Sequence, residues 1–158
     1  MADLVTRLNE AIRQAAGQYY RLVLLAGLPG SGKTAALQAV AQQSGYPYLN
    51  VNLELSKKML ELTRSQRSRQ VERLLKDVIA SAVADVVLLD NLEILFDPAL
   101  EVEPLRLLQV SSRNRTVVAS WNGTCKDGTL TYAEPGHPEF IQCKQAEAVI
   151  VTAGSTPS

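Results

Sequence analysis

Residues 27–34 read Gly27-Leu28-Pro29-Gly30-Ser31-Gly32-Lys33-Thr34, and this stretch with its two flanks decides the fold. The apolar run Leu22-Val23-Leu24-Leu25-Ala26 precedes it, and the alanine-rich segment Lys33–Gln43, halted by Gly45 and Pro47, follows. An apolar run entering glycine reads as a strand buried on both faces, and an alanine-rich segment closed by glycine reads as a helix. Strand, loop and helix in that order fit the pattern G-x-x-x-x-G-K-[ST], in which successive backbone N–H groups converge on phosphate oxygens. Gly27, Gly30 and Gly32 allow the tight backbone path, Pro29 and Ser31 complete the loop, and the helix from Lys33 adds its positive end. The pattern sends the Lys33 ammonium to the β- and γ-phosphates and the Thr34 hydroxyl to a magnesium ion. ATP and Mg2+ are therefore the expected cofactors.

Working outward, Leu4, Leu8, Ile12 and Ala15 recur at three- and four-residue steps and predict an amphipathic helix over 3–17. Tyr48–Leu55 alternates Leu49, Val51 and Leu53 with Asn50, Asn52 and Glu54, which predicts a second strand. Ser56 then caps a helix holding Met59, Leu60 and Leu62, and Val71, Leu74, Leu75, Val78 and Ile79 mark another. Asp85–Asp90 predicts a third strand, Pro104 opens a short helix to Val110, Arg115–Trp121 is a fourth strand, and Ala148–Thr152 a fifth. Residues 122–147, with Asn122-Gly123 and Asp127-Gly128 as turns and Thr129–Tyr132 as a short strand, predict a hairpin and loop before the last strand. Strands alternating with helices give a three-layer α/β core of the P-loop NTPase type, with a mostly parallel five-stranded sheet in the order 5-1-4-3-2. The expectation is one domain over 1–158: an N-terminal helix to residue 18, the core over 19–152 and a flexible tail at 153–158.

Asp90, at the carboxyl end of the third strand, faces the same crevice as the loop and supports the metal with Thr34. Asn122, just past the fourth strand, is placed to reach a γ-phosphate or the attacking water. In AAA+ ATPases a glutamate directly follows the acidic strand's aspartate; here Asn91 stands there, and an amide cannot accept the proton. Glu54, on the polar face of the second strand, is the favoured replacement base, and Glu93 the second choice. Arg113 and Arg115 precede the fourth strand, at the end remote from its own crevice, so they either reach a neighbouring subunit's γ-phosphate or are surface arginines near a helix end, favourable to its dipole. Tyr19 and Tyr20 offer rings for an adenine or for the core.

The chain has 158 residues, with sixteen Lys plus Arg against sixteen Asp plus Glu. A zero net charge excludes strong bulk attraction to nucleic acid or anionic membrane, but it hides two blocks. Residues 57–76 carry seven cations against Glu61 and Glu72, and residues 85–103 carry six acids and no base. The basic block suits DNA phosphates or an acidic partner face, a solvated helix surface, or the acidic block of another subunit in a head-to-tail assembly. No signal-peptide or membrane-length apolar segment occurs in the sequence. Cys125 and Cys143 lie eighteen residues apart without a CxxC, which predicts free thiols and a cytoplasmic protein.

GLPGSGKT, the segment NVNLELS (50–56), DVVLLDNLEILFDP (85–98), SRNRTVVASWNG (112–123) and TYAEPGHPEF (131–140) together resemble the small stand-alone P-loop proteins of type 3 BREX bacteriophage-defence systems, the BrxF family. The resemblance spans residues 20–152. It implies a bacterial or archaeal cytoplasmic ATP-binding protein that works with other defence components, among them a DNA methyltransferase and a larger ATPase. Relative to AAA+ proteins, the chain lacks the C-terminal helical lid and its sensor arginine, and turns replace the helix between the fourth and fifth strands.

These readings converge on a Mg·ATP-binding protein, a slow ATPase stimulated by self-assembly or a partner and serving an anti-phage complex. A non-hydrolysing nucleotide switch or scaffold, suggested by Asn91, is the first alternative. A small-molecule kinase ranks last, because residues 122–147 hold none of the arginines that a kinase lid needs.

Overall fold

The computed structural model describes residues 2–28, 30–126, 129–132, 139–142 and 147–153. Pro29, the Asp127-Gly128 turn, much of the expected 133–147 loop and the expected tail beyond residue 153 lie outside the described residues.

Helix α1 (Ala2–Ala15) leads into strand β1 (Leu22–Gly27), the phosphate loop, and helix α2 (Lys33–Ser44). Strand β2 (Tyr48–Asn50), helices α3 (Val51–Met59) and α4 (Arg64–Ala80), and strand β3 (Val86–Asp90) follow. Two short 3-10 turns, Glu93–Phe96 and Pro98–Leu100, precede helix α5 (Pro104–Ser111) and strand β4 (Thr116–Lys126). Strands β5 (Thr129–Tyr132), β6 (Glu139–Gln142) and β7 (Val149–Thr152) complete the described elements. The parallel sheet runs β2-β3-β4-β1-β7, which is the order expected from the sequence.

Alternate residues of each central strand enter opposite cores, as a period of two requires. Leu22, Leu24, Ala26, Val87, Leu89, Val117 and Ala119 pack under α3, α4 and α5. Val23, Leu25, Leu88, Val118 and Val151 pack under α1 and α2. All of β1 is buried, and each fully buried leucine contributes roughly 2 kcal/mol relative to exposure. Parallel pairing brings the carboxyl ends level: Gly27 lies beside Asn122, and Asn50 beside Asp90. That level edge is where the functional side chains collect.

Three local expectations are corrected. The expected strand over 48–55 is only three residues long, because the Asn50 side chain accepts the Leu53 N–H and caps a helix there. Val51, Leu55 and Met59 are its buried face at four-residue steps, while Leu53 is half exposed. The helix expected to start at Ser56 does not start there, because Ser56 lies inside this helix; the helix of Val71–Ile79 opens on a capping box of Thr63 and Gln66. Asn122-Gly123 is not a turn: β4 runs straight on to Lys126, and its far half pairs antiparallel with β5. At Gly123 any Cβ would meet the Thr131 carbonyl oxygen, so the two strands approach as closely as they do only because of glycine. The Trp121 indole N–H donates to the same carbonyl at 3.2 Å, and its ring meets Phe96 edge-on at 5.2 Å. The expected hairpin is therefore present, with β6 as a third strand beyond it.

The expectation of free thiols is also corrected, since Cys125 is disulfide-bonded; Cys143 lies outside the described residues. Spacing along a chain does not report which strands come side by side, and that approach is what a disulfide needs.

Candidate functional site

Gly30 and Gly32 sit at φ of 85° and 93°, in the left-handed region that favours glycine. Their conformation turns the loop into the first turn of α2, where the Ala36 N–H reaches the Gly32 carbonyl at 3.0 Å. Lys33 is 7% exposed, and its ammonium donates to the carbonyls of Gly27 at 2.7 Å and Leu28 at 3.0 Å. Burial lowers its pKa, and the nearby Asp90 and Glu93 carboxylates act against that shift. Ser31 Oγ is buried with no hydrogen-bond partner among the described residues. A buried hydroxyl left unsatisfied costs free energy, and a phosphate oxygen in this loop would satisfy it.

Asp90, 3% exposed, ends β3 beneath the loop. Its Oδ2 accepts the Thr34 hydroxyl at 2.7 Å and the Tyr48 phenol at 2.6 Å. Its Oδ1 accepts the Ser120 hydroxyl at 2.7 Å and the Asn91 N–H at 3.0 Å. Burial alone would raise this carboxyl, yet the hydrogen bonds from Thr34, Tyr48, Ser120 and Asn91 outweigh it and hold the pKa below the ordinary value. Burial, together with the hydrogen bond to Asp90 and its charge, pushes Tyr48 well above the usual phenol range. Thr34 spends its proton on Asp90, which leaves its oxygen lone pairs for a cation. Hydroxyl and carboxylate oxygens at this spacing suit magnesium, which is commonly held by one or two protein oxygens together with phosphates and water.

Beyond Asp90 the backbone turns sharply at Asn91, whose φ of 57° is one that asparagine tolerates better than most residues. The turn brings Glu93 back over the crevice. Glu93 Oε2 accepts the Asn122 amide at 3.1 Å, and Oε1 accepts the Asn52 amide at 3.3 Å. Asn52 is itself fixed, its N–H donating to the Asn91 carbonyl at 2.9 Å and its Oδ1 accepting the Ile94 N–H at 2.8 Å. The crevice has a volume of about 570 Å3, and Gly30, Gly32, Lys33, Thr34, Ala35, Asp90, Asn91, Glu93 and Asn122 line it.

The structure thus brings together Lys33, Thr34, Asp90, Glu93 and Asn122 from the sequence reading. Glu54 is not brought there: it lies in the first turn of α3, outside the crevice lining, 3.8 Å from Lys57. The strand that was to aim it inward has already become helix. Arg113 and Arg115 lie at the amino end of β4, away from the crevice. Arg115 donates to the carbonyls of Ile79 at 3.2 Å and Ala82 at 2.8 Å, closing the C-terminal end of α4. Arg113 stacks over the Tyr19 ring at 4.2 Å, which places Tyr19 at that same remote end. Tyr20 packs against the core, so neither ring lines the crevice.

Asn52, Tyr48 and Ser120 are site residues that the sequence reading missed. Ser120 lies two residues before Asn122 on a strand already placed at the crevice, and that period of two was the available signal.

Residues 23–106 match the model of the "ATPase family associated with various cellular activities (AAA)". Among solved structures, Caenorhabditis elegans PCH-2 is similar at 18% identity and a TM-score of 0.47, over 99% of this chain and 41% of that one. AMPPCP-bound DnaA from Aquifex aeolicus is similar at 17% identity and a TM-score of 0.45, over 92% of this chain and 43% of that one. The chain thus spans about two fifths of the length of these solved structures. No curated protein matches it in sequence.

Proposed function

The chain belongs to the AAA family of ATPases, and from that premise we propose that its crevice binds Mg·ATP and hydrolyses it slowly, with Glu93 as the water-activating base. The observation that carries this reading is the convergence of Lys33, Thr34, Asp90, Glu93 and Asn122 on one crevice. Lys33 leaves the Gly27 and Leu28 carbonyls for phosphate oxygens, and the loop N–H groups and Ser31 hold the rest of the phosphate chain. Bound magnesium would supply charge neutralisation at the phosphates, with Thr34 to hold it directly and Asp90 to hold it through its water shell. Asn122 orients the γ-phosphate or the water, and Glu93 takes the water's proton. Both Glu93 oxygens accept an amide in this arrangement, which fixes where the carboxylate sits over the crevice. Asn91 in the place of the usual glutamate supports slow turnover raised by assembly or a partner.

Nucleotide affinity of the full chain tests the binding half. Lys33→Ala and Thr34→Ala should each weaken ATP binding in the presence of magnesium, the first by about a hundredfold, while the fold stays intact. Unchanged affinity in Lys33→Ala would remove the reading.

We extend the proposal to an oligomeric protein acting with other anti-phage components, its cytoplasmic location resting on the family resemblance alone because Cys125 is disulfide-bonded. The resemblance of five segments to BREX-system proteins supports this, and co-purification with such components tests it. Among the described residues no helix is long and apolar enough to cross a membrane. Exposed Arg113 is the candidate for reaching a neighbouring subunit. DNA contact would run along residues 57–76, where Arg64, Ser65, Ser68 and Arg69 share a cleft of about 660 Å3 with Ala99 and Glu101. Binding that weakens steeply with salt would support it. A nucleotide-dependent switch without hydrolysis is the second reading, favoured by Asn91 in place of glutamate; it predicts stoichiometric ATP binding with no phosphate release.

A further inference from the structure

Asp90 carries more hydrogen bonds than its place in a cation site requires. A carboxylate offers about four lone-pair positions, and here four donors take them: Thr34 and Tyr48 on Oδ2, Ser120 and the Asn91 N–H on Oδ1. With all four bonds standing, Asp90 cannot become a direct ligand of a metal ion. The two donors on Oδ1 come from β4 and from the chain's own next residue. Oδ2 is the oxygen shared with Thr34 of the phosphate loop, so it is the one beside the cation position. Thr34 is itself the residue expected to meet the cation, which leaves the Tyr48 phenol as the other donor on that oxygen, held there by strand β2. Tyr48 lies on β2, paired in register with Leu88 of β3, and its ring packs against the core beneath α1 and α2. The bond at 2.6 Å therefore joins two adjacent strands and does not depend on a mobile side chain.

We propose that Tyr48 determines cation specificity: its hydroxyl occupies Asp90 Oδ2 and so keeps the carboxylate from ligating a divalent ion directly. The inference rests on the Mg·ATP reading of the crevice. Magnesium gives up its waters reluctantly and is served by a carboxylate that reaches it through water. Calcium takes six to eight oxygen ligands in flexible geometry and gains from each direct carboxylate. A carboxylate held back by Tyr48 thus denies calcium a ligand while costing magnesium little. Removing the phenol opens one lone pair and narrows the discrimination.

The experiment measures the affinity of a non-hydrolysable ATP analogue for the full chain in EDTA, in saturating Mg2+ and in saturating Ca2+, for the parent and Tyr48→Phe. Phenylalanine keeps the ring and removes only the donor; Tyr48→Met, also without a donor, serves if the first variant fails to fold. The parent should prefer magnesium. Tyr48→Phe should narrow the Mg2+/Ca2+ affinity ratio by about fivefold, the worth of one hydrogen bond, with the EDTA affinity unchanged. A ratio equal to the parent's overturns the inference, as does a parent that does not distinguish the two ions. An equal loss of affinity in all three conditions also overturns it, since Tyr48 would then only support the loop. A parent that binds no nucleotide under any condition removes the underlying nucleotide reading as well.

Discussion

Asp90 shows how a single side chain in this molecule is over-determined. Its pKa is depressed by four hydrogen bonds, against the opposing effect of burial. A carboxyl with a folded-state pKa below its unfolded value of about 3.9 contributes stability above that value, and the contribution is lost as pH falls toward the folded pKa. Urea unfolding of the parent should therefore show stability falling below about pH 4. Asp90→Asn, which has no proton to gain, should lose part of that acid slope; an identical slope would show that the four donors do not stabilise the charge. The same residue marks the reach of sequence reading. Asp90 was legible because an acid closing an apolar strand is a positional signal. Tyr48 and Asn52 were not, because nothing in their own neighbourhood says which strand end or turn they will face. Asn52 in particular looked like one polar position in an alternating strand.

Elements with one dominant pattern were legible, and those with two competing patterns were not. β1 and β3 are apolar runs of five or six residues with few alternatives, whereas β4 was legible only over its first half and its extension to Lys126 was not. Residues 49–59 satisfy two periods at once, Leu49-Val51-Leu53 at two and Val51-Leu55-Met59 at four. The Asn50 cap decides for the helix, and with it goes the orientation of Glu54. The α4 capping box is testable on its own: Thr63→Ala should cost about 1 kcal/mol in chemical denaturation. At Gly123 the close approach of β4 and β5 leaves no room for a methyl group. Gly123→Ala should destabilise the fold by roughly 2–3 kcal/mol, or force the β5 strand to shift; a variant as stable as the parent would mean that the strands separate easily.

For the whole molecule, the neutral total conceals where contacts with other molecules fall. The acids of 85–103 divide: Asp90 and Glu93 turn into the crevice, while exposed residues such as Glu101 face outward next to Arg64 and Arg69 of the basic block. Sequence counted the charges correctly and could not tell these two groups apart, because the division depends on the turn at Asn91. Arg113 and Arg115, also indistinguishable in sequence, separate in the structure into an exposed guanidinium over Tyr19 and a support for the end of α4. Arg113→Ala should therefore leave thermal stability nearly unchanged. Arg115→Ala should lower stability by about 1 kcal/mol, with two carbonyls losing their donor.

The central claim is that Glu93, and not Glu54, activates water in a crevice that binds Mg·ATP. The most direct measurement is phosphate release by the parent, Glu93→Gln and Glu54→Gln, each with its ATP affinity determined in parallel. Glu93→Gln should retain affinity while its release rate falls about a hundredfold, and Glu54→Gln should match the parent. Parental release by Glu93→Gln, or a collapse confined to Glu54→Gln, would contradict the account.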